Sequence, residues 1–188
     1  MSDVMSDYKI AVLVGSLRKE SFNRQLATAM ARLAPAGFTF TEVTLADLPL
    51  YNQDLDGQQP VPVQDFKSAI AAAQGLLFFT PEYNRSIPGV LKNALDQGSR
   101  PYGQSVWAGK PAGVLGVSPG AAGTAMAQQH LRNVLSYLDV PVMSQPEAYV
   151  QHKEGLVDAD GNVGPASARF LQGWMDKYVA WVKHHNVA

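Results

Sequence analysis

Small polar and charged residues follow an apolar run near the amino end of the chain. The run 8–14 reads YKIAVLV, and the stretch directly after it reads GSLRKESFN. The hydroxyls of Ser16 and Ser21, the Arg18 guanidinium and the Asn23 amide all fall within this stretch. Such side chains, together with free backbone N–H groups at the start of a helix, form a cup for a phosphate group. Helix capping by Ser21 would explain one serine but not the other polar residues.

Two further polar stretches follow apolar runs later in the chain. Residues 81–88 read PEYNRSIP and follow the run 75–80, while residues 118–124 read SPGAAGT and follow the run 112–117. In an open parallel sheet, ligands bind beyond the carboxyl ends of the strands, where the winding direction reverses. We therefore expect the three polar stretches to meet at one site.

The elements that must position these stretches alternate along the chain. The predicted strands are 8–14, 38–44, 75–80, 112–117 and 140–150. The predicted helices are 22–34, 63–74, 88–98, 122–138 and 165–184. Strands joined by helical crossovers form a parallel sheet with helices on both faces. The sequence thus predicts an α/β fold, a doubly wound five-stranded parallel sheet in three layers.

Length and turn signals complete this outline. A chain of 188 residues is expected to form one domain, 1–188, with residues 1–7 as a disordered lead-in. Residues 155–163 read GLVDADGNV, whose Asp-Gly pair predicts a hairpin between short apolar flanks. Residues 45–63 are predicted to form a long loop, and loops of that length are usually functional or interfacial.

Composition excludes several classes of function. A formal net charge of −1 lacks the basic footprint of a nucleic-acid binder, so a small molecule is the expected partner. No apolar run reaches the ~18 residues that span a bilayer, and the start lacks a signal-peptide pattern. The chain has no cysteine, so any redox chemistry must come from a cofactor. We expect a cytoplasmic protein without membrane or metal partners.

Two common nucleotide-binding motifs are missing from the chain, and this narrows the choice of phosphate-bearing ligand. Neither G-x-x-x-x-G-K-[ST] nor G-x-G-x-x-G occurs in the chain, which argues against a P-loop nucleotidase and a dinucleotide-binding Rossmann fold. A five-stranded doubly wound chain of this length instead fits the flavodoxin-like winding, which holds FMN at its switch point.

Four segments carry a shared pattern: GSLRKESFN, LPLYNQDL, TPEYNRSIPGVLKNALD and SPGAAGTAMAQQHLR. Over about residues 9–150 the chain resembles the NADPH-dependent FMN reductase family, in particular its quinone and chromate reductase branch. The combination of G-S-L-R-x-x-S-x-N with P-E-Y-N-x-S-x-P makes this resemblance specific. One departure lies at Gln97-Gly98, where members often carry a tryptophan after the aspartate.

The resemblance implies roles for residues of all three polar stretches. Four residues would hold the FMN phosphate: Ser16, Arg18, Ser21 and Asn23. Four would line the ribityl chain and the edge of the flavin ring: Pro81, Glu82, Tyr83 and Asn84. Ser118 and Gly120 would approach the flavin from the fourth strand. The alternative interpretation of Glu82 is a surface carboxylate whose backbone matters more than its side chain. No catalytic acid or base is expected, because the protein positions the nicotinamide and the flavin does the chemistry.

The resemblance also implies the reaction and the assembly. NADPH or NADH would donate a hydride, and quinones, chromate, azo compounds or free flavin would accept two electrons in ping-pong order. Arg100 is a candidate contact for the NAD(P)H phosphates or an anionic acceptor, with solvated surface as the alternative. A homodimer or homotetramer is expected, in which a neighbouring subunit completes the flavin pocket.

Two other functions compete with this interpretation. Residues 116–120 match G-x-S-x-G, the nucleophile elbow of a serine hydrolase, with Ser118 as nucleophile and His184 or His185 in the right chain order. Pro119 argues against it, because it has no N–H to give to an oxyanion. A flavodoxin-like electron carrier is the second competitor, but a net charge of −1 offers little steering toward a basic partner.

Overall fold

The computed structural model describes residues 8–187, which form five strands and five α-helices with a short 3₁₀ helix at Gln53–Leu55. The strands are β1 (Tyr8–Val14), β2 (Phe38–Glu42), β3 (Gly75–Phe79), β4 (Ala112–Ser118) and β5 (Tyr149–Gln151). The helices are α1 (Phe22–Ala31), α2 (Val61–Ala71), α3 (Gly89–Gly98), α4 (Ala125–Tyr137) and α5 (Pro165–His185). Strands and helices alternate from β1 to α5.

All five strands belong to one parallel sheet in the order β2-β1-β3-β4-β5. The order reverses at β1, since the chain moves outward to β2 and then returns past β1 to β3. Carboxyl-end loops on either side of such a reversal diverge and leave a crevice between them. The loops after β1 and β3 flank this crevice, as the sequence predicts.

Helices cover both faces of the sheet and produce three layers. In β1, Ile10 and Val12 face the core shared with α1 and α5, whereas Ala11 and Leu13 face the core shared with α2, α3 and α4. Strand residues alternate between faces with a period of two, so a strand buried on both sides is apolar throughout. The run IAVLV in β1 has this pattern. The predicted α/β flavodoxin-like fold is confirmed.

Element ends differ from the predicted ones mainly at the last strand. The predicted strand 140–150 is reduced to β5 and an isolated bridge between Ala112 and Val142. Pro141 and Pro146 explain the difference, because proline has no N–H to give to a strand ladder. Helix α2 begins at Val61, two residues before the predicted start, and thereby shortens the predicted loop 45–63.

The short hairpin predicted at 155–163 is present as an antiparallel bridge between Val157 and Val163. The Asp158 carboxylate accepts the Asn162 backbone N–H at 2.8 Å. This hydrogen bond is the main reason why the pKa of Asp158 lies below its ordinary value. The expected disorder of residues 1–7 lies outside the described residues, and the one-domain organisation stays a prediction. Among residues 8–187, no helix is long and apolar enough to cross a membrane.

Candidate functional site

The loop between β1 and α1 presents a row of backbone donors. Within residues 8–187, the N–H groups of residues 16–20 donate to no backbone carbonyl. Ser16 and Ser21 are both buried, and the Ser21 hydroxyl caps α1 by accepting the Arg24 N–H at 3.3 Å. Successive free N–H groups beside a helix start form a concave anion site. This donor set fits a phosphate group, so the loop is able to hold the FMN phosphate.

Arg18 supports the loop from within. Its Nε donates to the Glu20 carbonyl oxygen at 2.7 Å, and its guanidinium carbon lies 4.5 Å from the centre of the Phe22 ring. The Phe22 ring in turn stacks on His152 with ring centres 3.7 Å apart. Arg18 therefore lies at the predicted phosphate loop, where its guanidinium holds a loop carbonyl and an aromatic ring.

Asn23 is buried beneath the same loop and bonds to β4. Its amide nitrogen donates to the Val117 carbonyl at 2.9 Å, and its amide oxygen accepts the Val117 N–H at 3.0 Å. These two bonds join the first turn of α1 to the strand that ends at Ser118. The structure thus gives Asn23 a defined part in aligning the first and third loops.

The loop after β3 contains a tight turn. The N–H and carbonyl groups of Tyr83 and Ser86 bond to each other at 3.0 Å in both directions, and Asn84 and Arg85 have φ angles of 52° and 66°. Positive φ at both central residues is typical of a type I′ turn. The turn projects Tyr83 and Asn84 into solvent, and the Tyr83 side chain is half exposed. Pro81 lies at the base of the loop beside Gly15.

Glu82 connects the second loop to α4. Its Oε2 atom accepts the N–H of Ala127, in the first turn of α4, at 3.1 Å. Free N–H groups at a helix start and the positive end of its dipole favour a carboxylate there. Thr124, at the N-cap position, makes no capping bond with its own side chain. The Glu82 side chain thus supplies a cap from another loop, a role that neither interpretation of Glu82 from the sequence included.

Two glycines, Gly116 in β4 and Gly123 in the third loop, lie so close to neighbouring backbone that a side chain would not fit. A Cβ at Gly116 would lie 2.1 Å from the Thr80 carbonyl oxygen, and one at Gly123 would lie 2.7 Å from the Tyr149 carbonyl carbon. Gly120 has more room, since the atom nearest to a Cβ there, beyond the adjoining residues, would be Ser118 Oγ at 3.6 Å. Glycine at 116 therefore lets β4 lie close to Thr80, which follows β3, and glycine at 123 lets the third loop lie close to β5.

The geometry around Ser118 argues against the hydrolase alternative that pairs it with His184 or His185. The Ser118 hydroxyl donates to the Gly123 carbonyl at 2.5 Å. His185 bonds to Trp181 in the last turn of α5, and the next residue, Asn186, bonds to the Gln74 carbonyl before β3 begins. Ser118 instead ends β4, about 20 Å further along the strand direction at ~3.3 Å per residue. His184 and His185 lie at the opposite edge of the sheet from Ser118.

Arg100 lies apart from the three loops within one chain. It follows the last residue of α3, whose ten residues run about 15 Å back from the loop after β3. There its guanidinium carbon lies 6.0 Å from the centre of the Tyr51 ring. The nearby departure Gln97-Gly98 packs inward: Gln97 donates to the Pro49 carbonyl at 2.9 Å. The chain therefore does not bring Arg100 together with the other predicted site residues.

Arg24 is the site residue that sequence reasoning missed. Its guanidinium donates to the carbonyl oxygens of Ser16 and Arg18, both at 3.0 Å, and to the Glu42 carboxylate at 2.9 and 3.1 Å. A basic residue in the first turn of a helix has no favourable dipole interaction, which is the one unusual sequence signal here. Its partner Glu42 is 18 residues away and is paired only by the fold.

The sheet order and the three loops at its carboxyl edge define a flavodoxin-like fold, with a row of free backbone N–H groups in the first loop. The chain belongs to the NADPH-dependent FMN reductase family, whose model matches residues 8–155. This membership confirms the resemblance seen in the sequence.

Individual relatives cover nearly the whole chain. A 2-hydroxy-1,4-benzoquinone reductase from Burkholderia sp is 58% identical over 180 residues, 95% of this chain and 98% of that protein. A quinone reductase from Pseudomonas putida is 48% identical over 177 residues, 94% of this chain and 95% of that protein. Among solved structures, the flavoenzyme NAD(P)H:(acceptor) oxidoreductase FerB from Paracoccus denitrificans is 45% identical, covers 96% of this chain and 100% of its own, and has a TM-score of 0.92.

Proposed function

We propose that this chain is an FMN-dependent NAD(P)H oxidoreductase that reduces quinones. The row of free N–H groups at residues 16–20 is the observation that carries the proposal, because it supplies an anion site where a flavodoxin-like fold binds its flavin. The family match and the quinone-reducing relatives support the same activity.

The flavin would lie across the three loops. Ser16, Ser21 and the free N–H groups between them would hold the phosphate, with the Arg18 charge beside it. The second loop would line the ring with the turn at Tyr83 and Asn84. When bound, FMN supplies the two-electron chemistry, taking a hydride from a nicotinamide and passing two electrons to an acceptor.

The third loop would stabilise negative charge on the ring. Within the described residues, the N–H groups of residues 120–122 donate to no backbone carbonyl, and they lie just before α4. Such donors at a helix start favour an anion. Ser118 and Gly120 would contribute here by their position in the loop, with no side chain acting as an acid or base.

Donor and acceptor would occupy the exposed side of the flavin in turn, which gives ping-pong kinetics. NADPH and NADH are both proposed donors. Quinones are the first acceptor class to test, and chromate, azo compounds and free flavin remain further proposals. A cytoplasmic location also stays a prediction.

A homodimer or homotetramer would complete the pocket. Exposed apolar side chains cluster around the segment after β2 and the end of α3: Leu50 is 82% exposed and Tyr102 is 90% exposed. The Gln59 side chain and Arg100 backbone are hydrogen-bonded at 3.1 Å, which makes these segments one surface. Large exposed apolar residues on one surface favour contact with another protein, and a second copy is the proposed partner.

The decisive experiment is an absorbance spectrum of the protein after loading with FMN and removal of the excess. NADPH or NADH is then added without oxygen, followed by a benzoquinone. We expect retained flavin bands that bleach with the nicotinamide and return with the quinone. Bands that persist after the nicotinamide would indicate an electron carrier that needs a separate reductase, and no retained flavin would overturn the proposed site.

A further inference from the structure

Alternate carbonyl groups of the phosphate loop are each bonded to a guanidinium. The Arg24 guanidinium donates to the carbonyl oxygens of Ser16 and Arg18, and the Arg18 guanidinium donates to the carbonyl oxygen of Glu20. In this loop the N–H groups of residues 16–20 are the ones without a backbone partner. Three of the loop carbonyls, at residues 16, 18 and 20, are therefore engaged, while the N–H groups of residues 16–20 have no backbone partner.

Arg24 is itself fixed from the opposite side. The carboxylate of Glu42, at the end of β2, accepts the Arg24 Nε through both oxygens, at 2.9 and 3.1 Å. The Arg24 backbone N–H is held by the Ser21 hydroxyl at 3.3 Å. The planar guanidinium thus joins β2, α1 and two points of the loop in one arrangement, which a lysine ammonium cannot reproduce because it lacks the fork.

We propose that Arg24 is a positioning residue for the FMN phosphate: it turns the loop carbonyls of residues 16 and 18 outward so that the neighbouring N–H groups converge on the phosphate. This inference rests on the proposed placement of the phosphate in the first loop. Arg24 acts through the loop backbone, so its effect should be confined to ligands that carry the phosphate.

Electrostatics and geometry lead to the same assignment. A carbonyl oxygen turned toward a phosphate would repel it, whereas an N–H group attracts it. The Arg24 and Glu42 side chains are 34% and 38% exposed, so their ion pair contributes little by itself. The two carbonyl bonds, made by a charged donor, are the stronger part of the arrangement.

The test compares two flavins that differ by the phosphate. Flavin-free protein is titrated with FMN and with riboflavin, and binding is followed by quenching of flavin fluorescence. In the Arg24→Met variant we expect FMN affinity to fall about tenfold, a ~1.4 kcal/mol change, with riboflavin affinity unchanged. The Arg24→Lys variant should lose FMN affinity almost as much, because it restores the charge without the fork.

The matched control is Arg32→Met. Arg32 lies just after the same helix and bonds to the Asp160 carbonyl and the Asn162 side chain, away from the phosphate loop. This variant removes the same charge and should bind both flavins as the unaltered protein does.

Three outcomes would contradict the inference. Equal losses for FMN and riboflavin in Arg24→Met would indicate a general structural role, and full FMN affinity in Arg24→Met or Arg24→Lys would remove the need for the fork. If the unaltered protein binds FMN no more tightly than riboflavin, the proposed phosphate placement itself is wrong, and this result separates the two failures.

Discussion

Burial controls the ionisation of Tyr178, a single residue of α5 beneath the sheet. Its side chain is fully buried, its hydroxyl donates to the Leu76 carbonyl at 2.9 Å, and burial raises the pKa of that hydroxyl well above its ordinary value. A raised pKa contributes stability that is present below pH ~10 and is lost as the pH rises toward the folded value. The neutral hydroxyl is thus part of the folded state.

We predict that the Tyr178→Phe variant is about 1 kcal/mol less stable near neutral pH, because it loses this hydrogen bond. Above pH ~10 its stability should fall less steeply than that of the unaltered protein, by up to ~1.4 kcal/mol per pH unit. Urea unfolding between pH 8 and 11 measures both effects. Tyr137→Phe, at a 90% exposed position, is the control, and a parallel decline of all three proteins would contradict the assignment.

The polar site residues show what the sequence predicts at this scale. The pattern that predicts a phosphate loop at Ser16 and Ser21 is local, within a few residues of one turn, and their role stays a prediction. The same pattern marks Asn23, but its bonding partner Val117 is 94 residues away, so the link to β4 required the structure. Arg24 has partners both near and far, and its only local signal is a basic residue in the first turn of a helix.

At the scale of elements, Glu82 joins the loop after β3 to α4. We predict that Glu82→Ala lowers the free energy of unfolding by about 1 kcal/mol, as expected for a lost helix cap. Glu82→Gln keeps an acceptor oxygen and loses only the charge, so its loss should be smaller, about 0.3–1 kcal/mol. Urea unfolding of the flavin-free protein checks both. The exposed Glu154 provides the control Glu154→Ala, and an equal effect there would contradict the capping role.

The end of α3 depends on contact between a glycine and a tryptophan. A Cβ at Gly98 would lie 2.6 Å from the Trp107 indole, which is fully buried and donates to the Leu95 carbonyl at 3.0 Å. We predict that Gly98→Ala destabilises the protein by about 1–3 kcal/mol, because the indole has no room to move.

Gly173, within α5, provides the comparison for this change. Nothing would lie within 4 Å of a Cβ there, so Gly173→Ala should stabilise the protein by about 0.5–1 kcal/mol through helix propensity alone. Thermal unfolding of both variants measures the two effects. Stabilisation by Gly98→Ala would show that Trp107 adapts to the added methyl group.

At the scale of the whole molecule, the hydrophobic periodicity of the strands and helices predicted the three layers. The alternation of strands and helices predicted that the candidate site lies at the carboxyl ends of the strands. Short apolar strands and amphipathic helices have repeating patterns, and the parallel order follows from their alternation. The predicted helix 88–98 already separates Arg100 from the loop 81–88, and α3 covers nearly the same residues, so the helix length gives the separation. The G-x-S-x-G match also has a packing explanation. Glycine is needed at position 116 because a Cβ there would collide with the Thr80 carbonyl oxygen, whether or not the segment is a nucleophile elbow.

The position of Arg100 leads to a prediction about the assembled protein. Arg100 lies a helix length, about 15 Å, from the loop after β3 of its own chain, and we propose that it contacts NAD(P)H bound in the pocket of a second copy. We predict that Arg100→Ala raises the KM for NAD(P)H about two- to fivefold, the effect of one exposed charged contact, with little change in kcat.

Lys92→Ala is the matched control, because Lys92 lies on the same helix and pairs with Asp96 at 2.8 Å. Steady-state kinetics with each donor measures the KM, and light scattering at the assay concentration measures the oligomeric state. A raised KM in an oligomer supports a pocket shared between copies. An unchanged KM, or a monomer with full activity, would show that each chain binds its donor without Arg100 from a neighbour.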